Sequence, residues 1–330
     1  MSSPLVTVIV GCYNHVGFVE ESLLSALQQD YENLEVIVAD DGSTDGTVEK
    51  ILELARQWPE RLVPIVGEPN VGITRNCNRA LSRRRGQYVC FLSGDDVFVQ
   101  GKVRKQVEWL HGGADRVACG HAVEGFDSVT GQVRWVSSEP ISLRSRRSLG
   151  AIVERGLFLG LSLMVRADAL PAYGYDERVG IMSDFKLQLD CVLGGGACHY
   201  IDEVLARYRI HEKSITQRSM REESAHRAFL EGSLTLIALV EAEHPALAKS
   251  CSKSRSRLLF AAGRWNARQG RMEIARAYYR AALRHGGLGA WKAVPAVLLT
   301  LGPRVVRDAV ERVLSRREIV SREVAASEPQ

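Results

Sequence analysis

The chain of 330 residues lacks the sequence patterns of several large protein classes. Its seven cysteines form no CxxC pair and are odd in number, so neither a typical zinc site nor a complete disulfide framework is expected. Most of them stand in apolar surroundings, which predicts reduced core residues of a cytoplasmic protein. Residues 1–5 lack a basic region followed by a long apolar segment, so no signal peptide is predicted.

Two glycine-rich phosphate-binding motifs are also absent. The sequence has no GxxxxGK[ST] motif, and no GxGxxG motif follows its first apolar segment, which excludes a P-loop and a dinucleotide fingerprint. Lys and Arg form no dense block before the last third, and the net charge is only +4, which argues against duplex nucleic acid as a partner. A bound nucleotide would therefore be held by acidic residues and a metal ion.

Short apolar segments alternate with segments of helical periodicity over the first two hundred residues. The predicted strands are Val6–Val10, Leu34–Ala39, Leu62–Val66 and Gln87–Leu92, and amphipathic segments separate them. Strands that are apolar throughout indicate a sheet covered on both faces. The sequence therefore predicts an α/β fold, Rossmann-like, with a mostly parallel sheet and helices on both of its faces.

Polar residues follow three of these strands, at Gly11–Asn14, Asp40–Asp45 and Ser93–Asp96. Because ligands bind at the carboxyl ends of parallel strands, these clusters predict a binding site at one edge of the sheet. The adjacent carboxylates of Asp95 and Asp96 repel each other next to an apolar strand, and Mg²⁺ or Mn²⁺ would remove that cost. A solvated turn is the alternative, since Asp is common in turns.

Four segments, in this order, resemble the signatures of the family 2 glycosyltransferases: Val8–Asn14, Glu35–Asp45, Asn70–Asn76 and Gly86–Asp96. The resemblance covers roughly residues 4 to 215. It implies the GT-A fold, a nucleoside diphosphate sugar as the donor, and Mn²⁺ or Mg²⁺ as the cofactor. Four motifs in the correct order are a far more specific signal than any one of them.

The resemblance also implies roles on the nucleotide side of the site. Asp41 is expected to accept a hydrogen bond from the base, with Asn14 and Arg75 nearby. Asp95 is expected to face the ribose.

The same resemblance assigns the metal ligands to Asp96, Asp95 and His211. Asp96 is expected to hold a cation that bridges the two phosphates, and such a cation stabilises the charge of a departing diphosphate. Many relatives have an Asp at the position of Ser93, so one carboxylate of the usual DxDD pattern is missing. We expect metal binding to survive, at equal or lower affinity.

The segment Ile181–Leu187 is similar to a later acidic motif of the family, an acid at the start of a helix. The resemblance assigns Asp184 as the base that takes the proton from the acceptor hydroxyl. A base opposite the leaving group inverts the configuration at the anomeric carbon. From the residues alone, the N-cap of the helix is the favoured interpretation of Asp184.

The predicted function is an inverting glycosyltransferase that moves a sugar, from a UDP-sugar in preference to dTDP or GDP donors, to a hydroxyl of a glycan, lipid-linked saccharide or peptide. Two alternatives stay open. One is a non-catalytic nucleotide-sugar-binding or assembly module, supported only by Ser93. The other is a sugar-phosphate nucleotidyltransferase, which normally carries a glycine-rich phosphate loop that this chain lacks.

The predicted domains are a GT-A catalytic domain at residues 1–218 and an all-α appendage at residues 219–330. Within the appendage, Ser256–Gln269 and Met272–Leu283 predict an αα-hairpin, for which packing or homo-oligomer formation is the default interpretation. The segment 304–317 reads either as a basic amphipathic helix at a membrane surface or as a solvated helix. The predicted location is cytoplasmic, with peripheral contact at the inner face of the membrane left open.

Overall fold

The computed structural model describes residues 3–67, 69–140, 143 and 149–285. The chain divides into two compact units, Met1–Leu236 and Ile237–Gln330. The division between a catalytic domain at 1–218 and an appendage at 219–330 concerns function as well as packing, and it stays a prediction. The segments 288–301 and 304–317 lie outside the described residues.

The first unit is built, in its described residues, on a nine-stranded sheet. The strands are β1 (Val6–Cys12), β2 (Leu34–Asp40), β3 (Leu62–Ile65), β4 (Tyr88–Ser93), β5 (Val97–Phe98), β6 (Arg116–Asp127), β7 (Val133–Val136), β8 (Met164–Arg166) and β9 (Ala197–Ile210). Their order is β3-β2-β1-β4-β8-β6-β9-β5, and β7 pairs with β6. The four strands predicted from the sequence are present within two residues at each end.

The described helices alternate with these strands and then continue without them. They are α1 (Val19–Leu27), α2 (Thr47–Gln57), α3 (Ile73–Leu81), α4 (Lys102–His111), α5 (Leu149–Arg155), α6 (Ser183–Leu193), α7 (Ile215–Arg221), α8 (Glu223–Glu243), α9 (Ala248–Arg268) and α10 (Met272–Arg284). Short 3₁₀ helices precede β8, α6 and α9. Within the described residues, no helix has both the length and the apolar character needed to span a membrane.

The parallel part of the sheet explains why the polar clusters meet. Strand β1 pairs in parallel with β2 and with β4, and its residue Gly11 lies beside both Ala39 and Ser93. The strands before these ends are buried on both faces, as at Val8 and Val36 on one face and at Ile9 and Ile37 on the other. The three strands therefore end together, and the residues that follow them share one edge, as the sequence predicts.

A long-range strand pairing then brings the end of β9 to the same edge. The short strand β5, directly after Asp96, pairs antiparallel with β9 through Val97 and Arg207 and through Phe98 and Ala206. Strand β9 also runs parallel to β6 over most of its length. The residues at and after the end of β9 are therefore held next to Asp95 and Asp96, although more than a hundred positions separate them in the sequence.

The second unit contains the predicted αα-hairpin, formed by α9 and α10. A Cβ at Gly263 would lie 2.5 Å from Cε1 of Tyr279, so glycine permits the close approach of the two helices. Ser256 Oγ donates a hydrogen bond to the carbonyl oxygen of Ala282, 2.9 Å away. The hairpin is confirmed, and its first helix begins eight residues earlier than predicted, at Ala248.

We predict that Gly86→Ala destabilises the first unit by about 2 kcal/mol, in the range of other overpacking substitutions. An added Cβ would lie 2.5 Å from the backbone nitrogen of Thr7 and 2.8 Å from the carbonyl oxygen of Tyr88, and neither can move aside. The control is Gly194→Ala, where φ is −67° and no atom lies within 4 Å of the new Cβ. Urea denaturation measures both; equal stabilities would contradict the prediction.

Candidate functional site

The loops after β1 and β2 are tied together at the edge of the sheet. Asn14 has a φ of 54°, a left-handed conformation that Asn tolerates. Its backbone N–H donates to Ser43 Oγ at 2.8 Å, and its side-chain Oδ1 accepts from the backbone N–H of Thr44 at 2.9 Å. Asn14 therefore connects the two loops, and its predicted contact with a nucleotide stays a prediction.

Asp41 holds the loop that leads into α3. The residue is 4% exposed, and its Oδ1 and Oδ2 accept hydrogen bonds from the backbone N–H groups of Val71 at 2.8 Å and Gly72 at 3.0 Å. Both oxygens of the carboxylate thus have protein donors. An additional bond from a nucleotide base would use the remaining lone pairs of the same oxygens.

Helix α3 ties down the segment that leads to Asp184. Arg75 Nε donates to Glu177 Oε2 at 2.7 Å, and Thr74 Oγ1 lies 3.2 Å from both Gly180 O and Ser183 Oγ. The side chain of Arg75 is exposed and contacts Glu177 rather than Asn14 or Asp41. Sequence reasoning missed the roles of Thr74 and Glu177, since their partners lie about a hundred residues away.

The two adjacent acids after β4 are buried, and one of them contacts two histidines. Asp95 is 8% and Asp96 is 4% exposed. Asp95 Oδ2 lies 2.9 Å from His211 Nε2 and 3.8 Å from His15 Nε2. The structure therefore brings together Asp95, Asp96 and His211, the three residues that the sequence resemblance assigned to a metal.

Arg209 orders this acidic turn from the end of β9. Its backbone N–H donates to Asp96 Oδ1 at 2.8 Å, and its Nε donates to the carbonyl oxygen of Asp95 at 2.7 Å. Its guanidinium also pairs with Glu21 and lies between the rings of Phe18 and Phe126, 4.9 Å and 4.7 Å from their centroids. The side chain of Arg209 is therefore occupied by protein groups.

The two carboxylates differ in their electrostatic surroundings. Burial acts to raise the pKa of Asp95, but the hydrogen bond from His211, the nearby His15 and a hydrogen bond from Ser93 outweigh it, so the pKa is lowered. Burial and the negative charge of Asp95 raise the pKa of Asp96 well above its ordinary value, and the Arg209 N–H offsets only part of this. Ser93 thus stabilises the ionised Asp95 instead of adding a third acid.

These residues suit a divalent cation of a particular kind. The raised pKa of Asp96 indicates that the protein alone does not stabilise its ionised form, which a bound cation would do. Among the described residues, no group of three or more His, Cys, Asp or Glu side chains is arranged to bind a metal by itself. Mg²⁺ is usually bound by one or two carboxylates together with substrate phosphates and water. The residues therefore fit a cation that completes its coordination with substrate.

His15 is a site residue that sequence reasoning missed. It follows Asn14 directly, and its backbone N–H donates to Thr47 Oγ1 at 2.9 Å. Burial lowers the pKa of its imidazole although Asp95 acts in the opposite direction. Its Nδ1 is buried and has no partner. The available signal was its position within the first motif, immediately after the loop that ends β1.

Asp184 lies in the first turn of α6, which begins at Ser183. Met182 is the N-cap of this helix, so the alternative that Asp184 is the N-cap is wrong. Asp184 is exposed to solvent but sits in a recess of the protein, since a Cβ at Gly160 would lie 3.2 Å from its Oδ2. Partial loss of hydration there raises the pKa of the carboxyl, and the hydrogen bond from Phe185 N opposes this.

Cys77 links the nucleotide side of the site with Asp184. Burial raises the pKa of the Cys77 thiol to about 12, and the negative charges of Asp184 and Asp41 add to the effect. The charges of Asp41 and Asp184 thus both act on this one buried thiol. All seven cysteines are free thiols in this structure.

Comparison with known proteins identifies the family. Residues 7–162 match the family model described as Glycosyl transferase family 2. The chain carries a family 2 glycosyltransferase domain. Over 227 residues it is 29% identical to the "Putative glycosyltransferase EpsE" of Bacillus subtilis, covering 66% of this chain and 77% of that protein. The predicted family and enzyme class are confirmed.

Two solved structures share the fold of this family 2 glycosyltransferase. S. aureus TarS superposes with a TM-score of 0.60 at 18% identity, over 89% of this chain and 50% of TarS. The mannosyltransferase PcManGT from Pyrobaculum calidifontis, solved with GDP-Man and Mn²⁺, superposes with a TM-score of 0.59 at 20% identity, over 92% of this chain and 83% of that one. The predicted GT-A fold is confirmed. The chain spans only half the length of TarS.

We predict that Arg209→Lys lowers the free energy of unfolding by about 2 kcal/mol, because hydrogen bonds to charged and buried groups are lost. Lys cannot reach Asp95 O and Glu21 at the same time. The control is Arg207→Lys on the same strand, where Nε pairs with Glu124 at 2.9 Å and the arginine is 34% exposed. That pair is screened by solvent, so the control should cost less than about 1 kcal/mol. Equal losses in denaturant titrations would refute the role of Arg209.

Proposed function

We propose that this protein is an inverting glycosyltransferase that moves a sugar from a nucleoside diphosphate donor to a hydroxyl of a glycan, lipid-linked saccharide or peptide. The observation that carries the proposal is the contact of His211 with Asp95 beside the buried Asp96, at the edge where the parallel strands end. This arrangement concentrates negative charge where a diphosphate and its cation would be bound together.

The proposed metal ligands are Asp96, Asp95 and His211. When bound there, Mn²⁺ or Mg²⁺ would offset the charge that develops on the departing diphosphate. Arg209 keeps both acids in position through its backbone N–H and its Nε, so that little reorganisation is needed when substrate arrives.

The proposed nucleotide contacts are Asn14, Asp41, Arg75 and Asp95. Asn14 bonds the loop after β1 to the loop after β2, and Asp41 holds the loop that leads into α3. Arg75, paired with Glu177, has an exposed guanidinium on the first turn of α3. UDP is the proposed nucleotide of the donor. TarS residues 1–349 have been solved with UDP-GlcNAc and PcManGT with GDP-Man, which supports a nucleotide sugar donor in general.

Asp184 is proposed as the general base that takes the proton of the acceptor hydroxyl. It is accessible to an acceptor from solvent, and its raised pKa makes it a stronger base than an ordinary carboxylate. The segment that positions it is fixed by Thr74 and by the pairing of Arg75 with Glu177.

The donor and the cation are tested by calorimetric titration of the full chain with UDP, GDP and dTDP, with Mn²⁺ and then with chelator. We expect UDP to bind most tightly and chelator to abolish binding. Asp96→Asn keeps an acceptor for the Arg209 N–H but removes a charge, so Mn²⁺-dependent binding is expected to be lost. Asp202→Asn on β9 is exposed and serves as the control. Nucleotide binding that is equally tight with Mn²⁺ and with chelator would overturn the metal assignment.

We predict that Asp184→Asn lowers donor turnover by about 10³-fold while nucleotide affinity is unchanged, because only proton removal is lost. The base works when ionised, so wild-type turnover should fall as pH drops through the raised pKa of Asp184. The variant should lose that dependence. Release of nucleoside diphosphate measures both.

The matched control is Asp168→Asn, an exposed carboxylate paired with Arg166 and distant in role from the site. It should keep the wild-type rate and pH profile. Wild-type turnover in Asp184→Asn would show that another group takes the proton.

A further inference from the structure

The positive charge of this protein is concentrated in its second unit. Residues 1–236 contain 26 Lys and Arg against 31 Asp and Glu, whereas residues 237–330 contain 17 against eight. In the described part of the second unit, residues 237–285, ten Lys and Arg stand against three Glu and no Asp. The overall charge of +4 is therefore the sum of a net negative charge on the catalytic unit and a larger net positive charge on the helical unit.

Helix α9 carries most of this charge on one face. It has six basic residues and no acidic residue in 21 positions. At 3.6 residues per turn, five of the six lie within an arc of about 100°. We call these five the basic crest: Lys249, Lys253, Arg257, Arg264 and Arg268. The residues that α9 buries, among them Cys251, Leu259 and Asn266, lie on the opposite face.

Repulsion between members of the basic crest lowers the stability of the helix, although Arg268 in its last turn is favourably placed for the helix dipole. Like charges repel each other at the i, i+4 spacing, and the crest contains such pairs at Lys249 and Lys253 and at Arg264 and Arg268. Lys249 also places a cation in the first turn, where the helix dipole favours an anion. Lys249, Arg264 and Arg268 form no ion pair with any described acidic side chain, while Arg255, off the crest, pairs with Glu241. For Lys249, Arg264 and Arg268, like-charge repulsion without an acidic partner among the described residues points to an external anion.

We propose that the basic crest docks this protein on a lipid bilayer surface that carries anionic headgroups. From Lys249 to Arg268 the crest extends about 28 Å along the helix, which suits an extended charged surface better than one small anion. Each Lys or Arg near such a surface adds to the attraction. Directly across the hairpin turn from Arg268, Met272 and Ile274 are exposed, 41% and 46%, and apolar side chains at that end favour a bilayer over a soluble polyanion.

This inference goes beyond the proposed function and does not depend on it, because vesicle binding is measured without donor or acceptor. It also concerns residues other than the segment 304–317, which the sequence alone marked as basic and amphipathic. If both proposals hold, the enzyme works at the surface where lipid-linked acceptors are found.

The test is co-sedimentation of the full chain with vesicles of phosphatidylcholine, with and without an equal share of phosphatidylglycerol. The crest variant replaces three exposed residues without a described ion pair: Lys249→Gln, Arg264→Gln and Arg268→Gln. Gln has a helix propensity close to that of Lys and Arg, so folding should be retained, and circular dichroism checks this. The control variant removes the same charge from exposed sites of the first unit: Arg56→Gln, Arg83→Gln and Arg155→Gln.

We expect the wild type and the control variant to bind only vesicles with phosphatidylglycerol, and the crest variant to bind them about a hundredfold more weakly. High salt should release the wild type, since exposed charges are screened. Equal binding by the crest and control variants would overturn the proposal. So would crest-dependent binding to a DNA duplex or to polygalacturonate without binding to the vesicles, because the partner would then be a soluble polyanion.

Discussion

The site of this protein depends on keeping two neighbouring carboxylates buried at the end of one strand. Asp95 and Asp96 repel each other, and neither is open to water. The protein compensates Asp95 with His211, His15 and Ser93 and leaves Asp96 largely uncompensated, so their pKa values move in opposite directions. A cation would stabilise the ionised form of Asp96, and this is the physical basis for proposing a cation and a diphosphate there.

The rest of the first unit can be understood as the support of that turn. The parallel strands β1, β2 and β4 end together, and the loops after them bond to each other through Asn14 and Ser43. The pairing of β5 with β9 brings Arg209 against the backbone and side chains of the acidic turn from the other side. Helix α3 connects this edge with Asp184 by way of Thr74 and Arg75. The acidic turn and the proposed base are thus held by different elements of the first unit.

The two units differ in charge as well as in architecture. The first has excess acid and carries the family 2 glycosyltransferase domain, and the second has excess base concentrated along α9. Gly263 on α9 and Tyr279 on α10 allow the two helices of the hairpin to pack closely, and the basic crest lies on one of these packed helices. A basic unit and an acidic unit in one chain are the charge distribution expected where one part binds an anionic surface and the other performs chemistry.

The sequence by itself determined the strands β1 to β4, the hairpin and the acids at the sheet edge, because apolar periodicity and strand-end polarity are local properties. Its motifs also identified the family. Only the tertiary structure decided that the guanidinium of Arg209 donates hydrogen bonds to Asp95 O and to Glu21. The same holds for the contact of His15 with Asp95 and for the ion pair of Arg75 with Glu177. These contacts join residues roughly eighty to two hundred positions apart, and no local pattern encodes which distant groups a strand pairing such as β5 with β9 will bring into reach.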